Sequence, residues 1–199
     1  MKIWLLAFAL ALPLIHAETM NTKTAVVGGG CFWCTEAIFK SLRGVVSVTP
    51  GYAGGAAAAP SYEEVSGGGT GHAEVTRIEF DPASVSYRDL LTVFFGTHDP
   101  TTLNRQGHDV GTQYRSVVLY ASPEQKAEGE RYVAELEASG VKPVTTEIRP
   151  LDAFYPAEEY HRDYFAKHGD EPYCRVVIAP KLEHLREKFA ALLKEKSKE

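Results

Sequence analysis

The apolar residues of this chain change period in one particular order, and that order limits the available folds more than any other feature. Residues 24–28 are strand-like and bounded by glycines, 33–42 take helical spacing with Ile38 and Leu42 on one face, and 45–48 return to a strand pattern before Pro50-Gly51. Residues 74–80 set Val75, Arg77 and Glu79 against Thr76, Ile78 and Phe80 on alternate sides. Ser86 then caps a helix over 87–97, whose Leu90, Leu91, Phe94 and Phe95 form an apolar stripe, and 115–120 is a further strand. The order β-α-β-β-α-β predicts an α+β fold, a ferredoxin-like split β-α-β two-layer sandwich with helices on one face of its sheet.

Later segments add helices and strands to that core. A polar helix runs from Pro123 to about Ser139 and stops at Gly140, followed by a strand over 144–148. Residues 156–168 are expected to hold one short helix, 176–178 a strand-like apolar run, and Leu182, Leu185, Phe189 and Leu193 a terminal helix. Three stretches, 50–59, 66–71 and 99–111, resist regular structure and are candidate binding loops.

The chain has 199 residues, 44% hydrophobic and 24% charged, a size and composition suited to one globular domain. Its first segment reads separately. Lys2 precedes an apolar run over 3–15 and Ala17 offers a small residue for cleavage, the pattern of a secretory signal peptide over 1–17 ahead of a single domain over 18–199. That run is short for a membrane span, so no span is expected after cleavage, and the expected location is exported and periplasmic. A net charge of −5 without basic blocks argues against nucleic acid as a partner. Three cysteines are too few for a disulfide framework, and an odd number leaves one outside any single bridge, which favours chemistry over scaffolding.

The chemistry centres on Cys31-Phe32-Trp33-Cys34, entered through Gly28-Gly29-Gly30. It puts two thiols, with two aromatics between them, at the start of a helix, where unpaired amides favour a thiolate. Cys31 precedes the helix and reads as the exposed nucleophile; Cys34, one turn inside, reads as the partner that reacts later. The same spacing also fits a structural disulfide or half a zinc site. No second metal-like pair accompanies it: Cys174 stands alone, and His161 and His168 are seven apart. Glu74 begins a strand, where burial would keep its carboxyl protonated as a general acid, although a solvated charge is the commoner fate. Tyr62 and Tyr114 fit packing as well as hydrogen-bond donation, and Asp109 fits a turn cap. Neither glycine run, 28–30 or 67–71, has the spacing of a nucleotide-phosphate loop.

Taken together, residues 29–36, 60–62, 70–74, 98–100, 107–116 and 155–161 resemble the A-type methionine sulfoxide reductases, the peptide-methionine (S)-S-oxide reductases. The likeness spans roughly residues 24–180 and joins several unrelated short motifs in order. It implies that Cys31 attacks sulfoxide sulfur, that Phe32 and Trp33 hold the substrate methyl group, and that Glu74 is the acid. It implies oxygen-binding roles for Tyr62 and Tyr114, supported by Asp109. The product would be methionine, from oxidised proteins or the free sulfoxide, with Cys31 left as a sulfenic acid. Many relatives have glycine where Cys34 stands and resolve the sulfenic acid from a C-terminal segment. Cys34 is the favoured resolving cysteine here and Cys174 the alternative. No bound cofactor is implied, only an external dithiol such as a thioredoxin-like protein, or dithiothreitol in vitro, and the enzyme is expected to be a monomer. The competing readings are an exported thiol-disulfide oxidoreductase using Cys31 and Cys34, and a secreted binding module with a structural bridge.

Overall fold

The computed structural model describes residues 21–195; the expected signal peptide, 1–17, lies outside them. β1 (Lys23–Gly28) occupies the middle of a six-stranded sheet and leads through two further glycines into α1 (Phe32–Lys40). The chain then forms β2 (Val45–Ala53), a short α2 (Tyr62–Ser66), β3 (Ala73–Phe80) and α3 (Tyr87–Thr97). Ser86 caps α3 as its sequence requires, its hydroxyl accepting from the Asp89 amide while Asp89 reaches back to the Ser86 amide. A small hairpin of β4 (Arg105–Gln106) and β5 (Asp109–Val110) and a 3-10 turn at Thr112–Tyr114 precede β6 (Val117–Tyr120). After α4 (Pro123–Ala138) come β7 (Glu147–Pro150), β8 (Phe154–Pro156) and α5 (Tyr164–Lys167). A π-helical turn, Cys174–Ile178, runs straight into α6 (Ala179–Lys188).

The sheet order is β7-β6-β1-β3-β2-β8, antiparallel throughout except for β6 against β7. Strand alternation gives it two apolar faces. Ala25, Val27, Ile78, Phe80 and Val118 meet Ile38, Phe39, Leu90, Leu91 and Phe94 in the main core. Val26, Val75, Val117 and Leu119 form a smaller cluster on the other side against Leu151 and Phe154. There the Arg77 guanidinium sits 4.6 Å over the Phe154 ring.

Several expectations need correction. The run over 176–178 is helical, because Cys174, Ile178, Leu182 and Leu185 are all buried and recur at helical spacing, whereas Val176 points outward at 73% exposure. Pro180 has no amide to return to this turn, which is wound loosely as a π segment. Residues 156–168 hold a 3-10 turn at Glu159–His161 and the separate α5, split by Asp163 in the left-handed region at φ 56. Asp163 is fixed there by its amide, which donates to both carboxylate oxygens of Glu36 at 3.0 Å, and by an ion pair with Lys40. The strand expected over 144–148 forms later, at Glu147–Pro150, in parallel register with β6. Residues 50–53 belong to β2, and 99–111 contains the β4-β5 hairpin.

Candidate active site

β1 ends at a point where almost no side chain fits. A Cβ on Gly28 would meet the Glu74 carbonyl oxygen at 2.6 Å, so the first and third strands of the chain touch backbone to backbone. Gly30 has φ +92 and lies against Gln106, which turns the chain abruptly into α1. Cys31 is thereby left as the N-cap of α1, with its side chain free of any capping bond. It is buried rather than exposed, at 8%, yet remains more accessible than Cys34 at 1%. All three cysteines are free thiols.

Glu74 stands next to it on β3. The carboxylate oxygen Oε2 accepts the Phe32 amide at 2.9 Å, so this acid caps the first turn of the helix that Cys31 opens. With only 2% exposure, burial pushes its pKa up to about 8, against the Phe32 bond that favours the charged form; the Asp109 charge adds to the rise. Burial also pushes the Cys31 thiol well up, followed by its hydrogen bond to Cys34 and the charge of Glu74. The same bond from Cys31 draws Cys34 down, so of the two thiols Cys34 gives up its proton the more easily.

Tyr62, at the start of α2, and Tyr114, in the 3-10 turn after β5, converge on these groups. Both phenols are raised first by burial and next, apart from a Ser66 contact at Tyr62, by the charges of Glu74 and Cys31, which keeps them as donors. Asp109 lies farther along, accepting the Tyr173 hydroxyl at 2.8 Å, and Tyr173 in turn lies 3.9 Å from Cys34 Sγ. Cys174 is fully buried and feels the Cys34 charge. The sequence-predicted residues are therefore brought together, Cys174 included.

Phe32 and Trp33 differ in fate. Phe32 is a core residue at 1% exposure, packed against Tyr52 and His161. Trp33 is half-buried, stacked on Tyr164 at 3.6 Å between ring centres, with Tyr173 against it edge-on. Its indole Nε1 donates to His161 Nδ1 at 3.1 Å, which fixes the ring plane and leaves the histidine proton on Nε2. Glu158 braces the same wall: it accepts the Tyr52 hydroxyl at 2.8 Å and the Tyr62 amide at 2.9 Å.

Sequence reasoning gave no role to His161, Glu158, Tyr52, Tyr164 or Tyr173. Glu158 and His161 fall in the stretch 155–161 that carried part of the resemblance, which was the one signal available for them. Among the described residues, no three His, Cys, Asp or Glu side chains group as metal ligands, and no helix is long and apolar enough to cross a membrane.

Residues 23–193 match the family model described as peptide methionine sulfoxide reductase. A relative from Thermus thermophilus, named peptide methionine sulfoxide reductase MsrA, is 54% identical over 175 residues, covering 88% of this chain and 99% of that one. Mxr1 from Saccharomyces cerevisiae in its reduced form superposes with a TM-score of 0.72 at 34% identity, over 79% of this chain and 91% of its own. A structure of Mxr1 in complex with Trx2 matches with a TM-score of 0.51 at 26% identity, over 72% and 86%.

Proposed function

The chain belongs to the peptide methionine sulfoxide reductase family, and we propose that it reduces methionine S-sulfoxide, in proteins and as the free amino acid, to methionine. The observation that carries the reading is the buried Glu74 carboxyl, which shares the first turn of α1 with the Cys31 thiol and holds its proton up to about pH 8. A sulfoxide oxygen leaves poorly as an anion, so attack on its sulfur needs a proton delivered in place.

In this mechanism the sulfoxide methyl rests against Phe32 and Trp33, and its oxygen accepts from Tyr62 and Tyr114. Cys31 Sγ attacks sulfur while Glu74 protonates the oxygen; the oxygen passes to Cys31 as a sulfenic acid and methionine leaves. The proton lost by the thiol balances the one supplied. Asp109 acts from behind, through the charge that helps keep Glu74 neutral. Cys34 then resolves the sulfenic acid, a role supported by its place one turn along α1, where its amide donates to the Cys31 carbonyl at 3.1 Å; Cys174, locked in a buried helical turn, serves as the alternative. The reaction needs no bound cofactor, only a dithiol to reopen the disulfide, and the Mxr1 complex with Trx2 supports a thioredoxin-like donor.

The ferredoxin-like assignment is also proposed, supported by the order β6-β1-β3-β2 with antiparallel neighbours. Export into the periplasm rests on the leader pattern alone; N-terminal sequencing of protein from a periplasmic extract tests it, and an intact Met1 would overturn it. The reaction itself is tested with both sulfoxide epimers in a single turnover. Glu74→Ala should abolish methionine formation and Glu74→Gln should keep part of it, since the amide still caps Phe32. Equal, full activity in both removes the acid role.

A further inference from the structure

Tyr173 stands between two groups that compete for one proton. Its Oη lies 2.8 Å from Asp109 Oδ2 and 3.9 Å from Cys34 Sγ. A carboxylate only accepts, so while Cys34 is a thiol the phenol proton lies toward Asp109, and the thiol donates to the phenol oxygen. That arrangement turns the S–H away from Cys31 and leaves sulfur lone pairs facing it. Once Cys34 loses its proton, sulfur becomes an acceptor only, and the phenol must donate to it instead. The ring is held for this by its edge-on contact with Trp33, and its backbone opens the π-helical turn Cys174–Ile178. A cavity of about 270 Å³, lined in part by Asp109, Tyr173, Val176 and Lys181, gives solvent a place beside the carboxylate when the hydroxyl leaves it.

We propose that Tyr173 is the positioning residue of disulfide formation: its hydroxyl orients the Cys34 thiol and transfers its hydrogen bond from Asp109 to the Cys34 sulfur as that sulfur attacks Cys31. The inference rests on the reading of Cys34 as the resolving cysteine. The step balances without an external reagent. A bond forms between Cys34 Sγ and Cys31 Sγ, the S–O bond of the sulfenic acid breaks, and the thiol proton leaves with the hydroxyl as water. The sulfur of Cys34 is oxidised as that of Cys31 is reduced.

The test is Tyr173→Phe, which keeps the ring against Trp33 and deletes only the hydroxyl. One equivalent of methionine S-sulfoxide is added to the reduced full chain without dithiol. Methionine release should stay within about twofold of wild type, while the Cys31 sulfenic acid, trapped with dimedone and weighed by mass spectrometry, should persist about tenfold longer. A second readout separates this role from simple loosening. The titratable and charged groups facing Cys34 are Cys31, Asp109, Tyr173, Cys174 and Lys181. Iodoacetamide labelling of Cys34 across pH should show its midpoint raised by about one unit in the variant, whereas loosening speeds labelling at every pH without moving the midpoint. Sulfenic acid decaying at the wild-type rate, or both chemical steps slowing equally with the midpoint unmoved, overturns the proposal while leaving Cys34 as resolver. Peptide mapping of wild type that finds Cys31 joined first to Cys174 overturns that reading, and this one with it.

Discussion

Replacing Glu74 by glutamine should make the protein more stable as it makes the enzyme worse, and the size of the gain can be worked out. The folded carboxyl titrates at about 8 against an ordinary 4.5, because it is buried at 2% exposure. A carboxyl whose folded pKa is raised binds its proton more tightly in the native state, so its contribution is fully present below pH 4.5 and is lost as pH rises toward 8. Each unit is about 1.4 kcal/mol, which makes the loss at pH 7 about 3 kcal/mol and the full loss about 5 kcal/mol. Glutamine has the same shape, no charge to desolvate, and an oxygen for the Phe32 amide; its unpaired NH2 group gives back about 1 kcal/mol. The expected net gain is about 2 kcal/mol at pH 7, a rise of roughly 4–8 °C in Tm for a chain of this size. Below pH 4.5 the variant should be no more stable than wild type. Urea unfolding of the reduced proteins between pH 4 and 8.5 measures this, since the difference between the two cancels other titrating groups. A stability difference that stays flat across that range refutes the burial argument and, with it, the idea that Glu74 reaches neutral pH with its proton on.

Three other perturbations follow from contacts in and behind the site. His161→Phe removes the acceptor of the Trp33 indole proton, and should raise KM for the sulfoxide about tenfold with single-turnover chemistry at saturation little changed; steady-state kinetics with a peptide substrate checks it. Glu36→Ala takes both acceptors from the Asp163 amide and a partner from Lys40, so urea unfolding should show a loss of about 2–3 kcal/mol. Gly28→Ala drives a methyl to within 2.6 Å of the Glu74 carbonyl, and forcing the strands apart should cost about 1–3 kcal/mol in the same assay, with a parallel loss of single-turnover rate.

The central alternation of strand and helix was legible because each element there carries a complete signal of its own. Residues 87–97 have an N-cap, a reciprocal capping acid and an apolar stripe, and the helix forms at those bounds. Val176-Val177-Ile178 carried no such signal: three apolar residues fit either period, and only Ile178 taken with Leu182 and Leu185 discloses the helix. The break at Asp163 was invisible because its cause, the Glu36 carboxylate, sits 127 residues away. Residues that react were easier to find than residues that brace them. Cys31 and Glu74 sit in short glycine-flanked motifs, while Tyr52, His161 and Tyr173 act through single hydrogen bonds spanning 64 to 128 residues.

Cys31, Glu74, Tyr62 and Tyr114 are each shifted toward the neutral form by burial; the Glu74 charge raises Cys31 further, and the charges of Glu74 and Cys31 raise the two tyrosines. Such a site resists holding two negative charges, with one helix N-terminus to stabilise them. Ionising Cys31 therefore keeps the proton on Glu74, the group that must later deliver it. As the new bond between Cys31 Sγ and the sulfoxide sulfur consumes the thiolate charge, the penalty on the Glu74 carboxylate falls and its proton becomes free to move to the sulfoxide oxygen. Negative charge is relocated by a few ångströms, from sulfur to a carboxylate that already caps the Phe32 amide, and no further charge has to be created in the buried site. The same coupling predicts that Glu74→Gln, by removing that charge, lowers the pH at which Cys31 is alkylated even as it slows turnover, a pairing that damage to the fold would not produce.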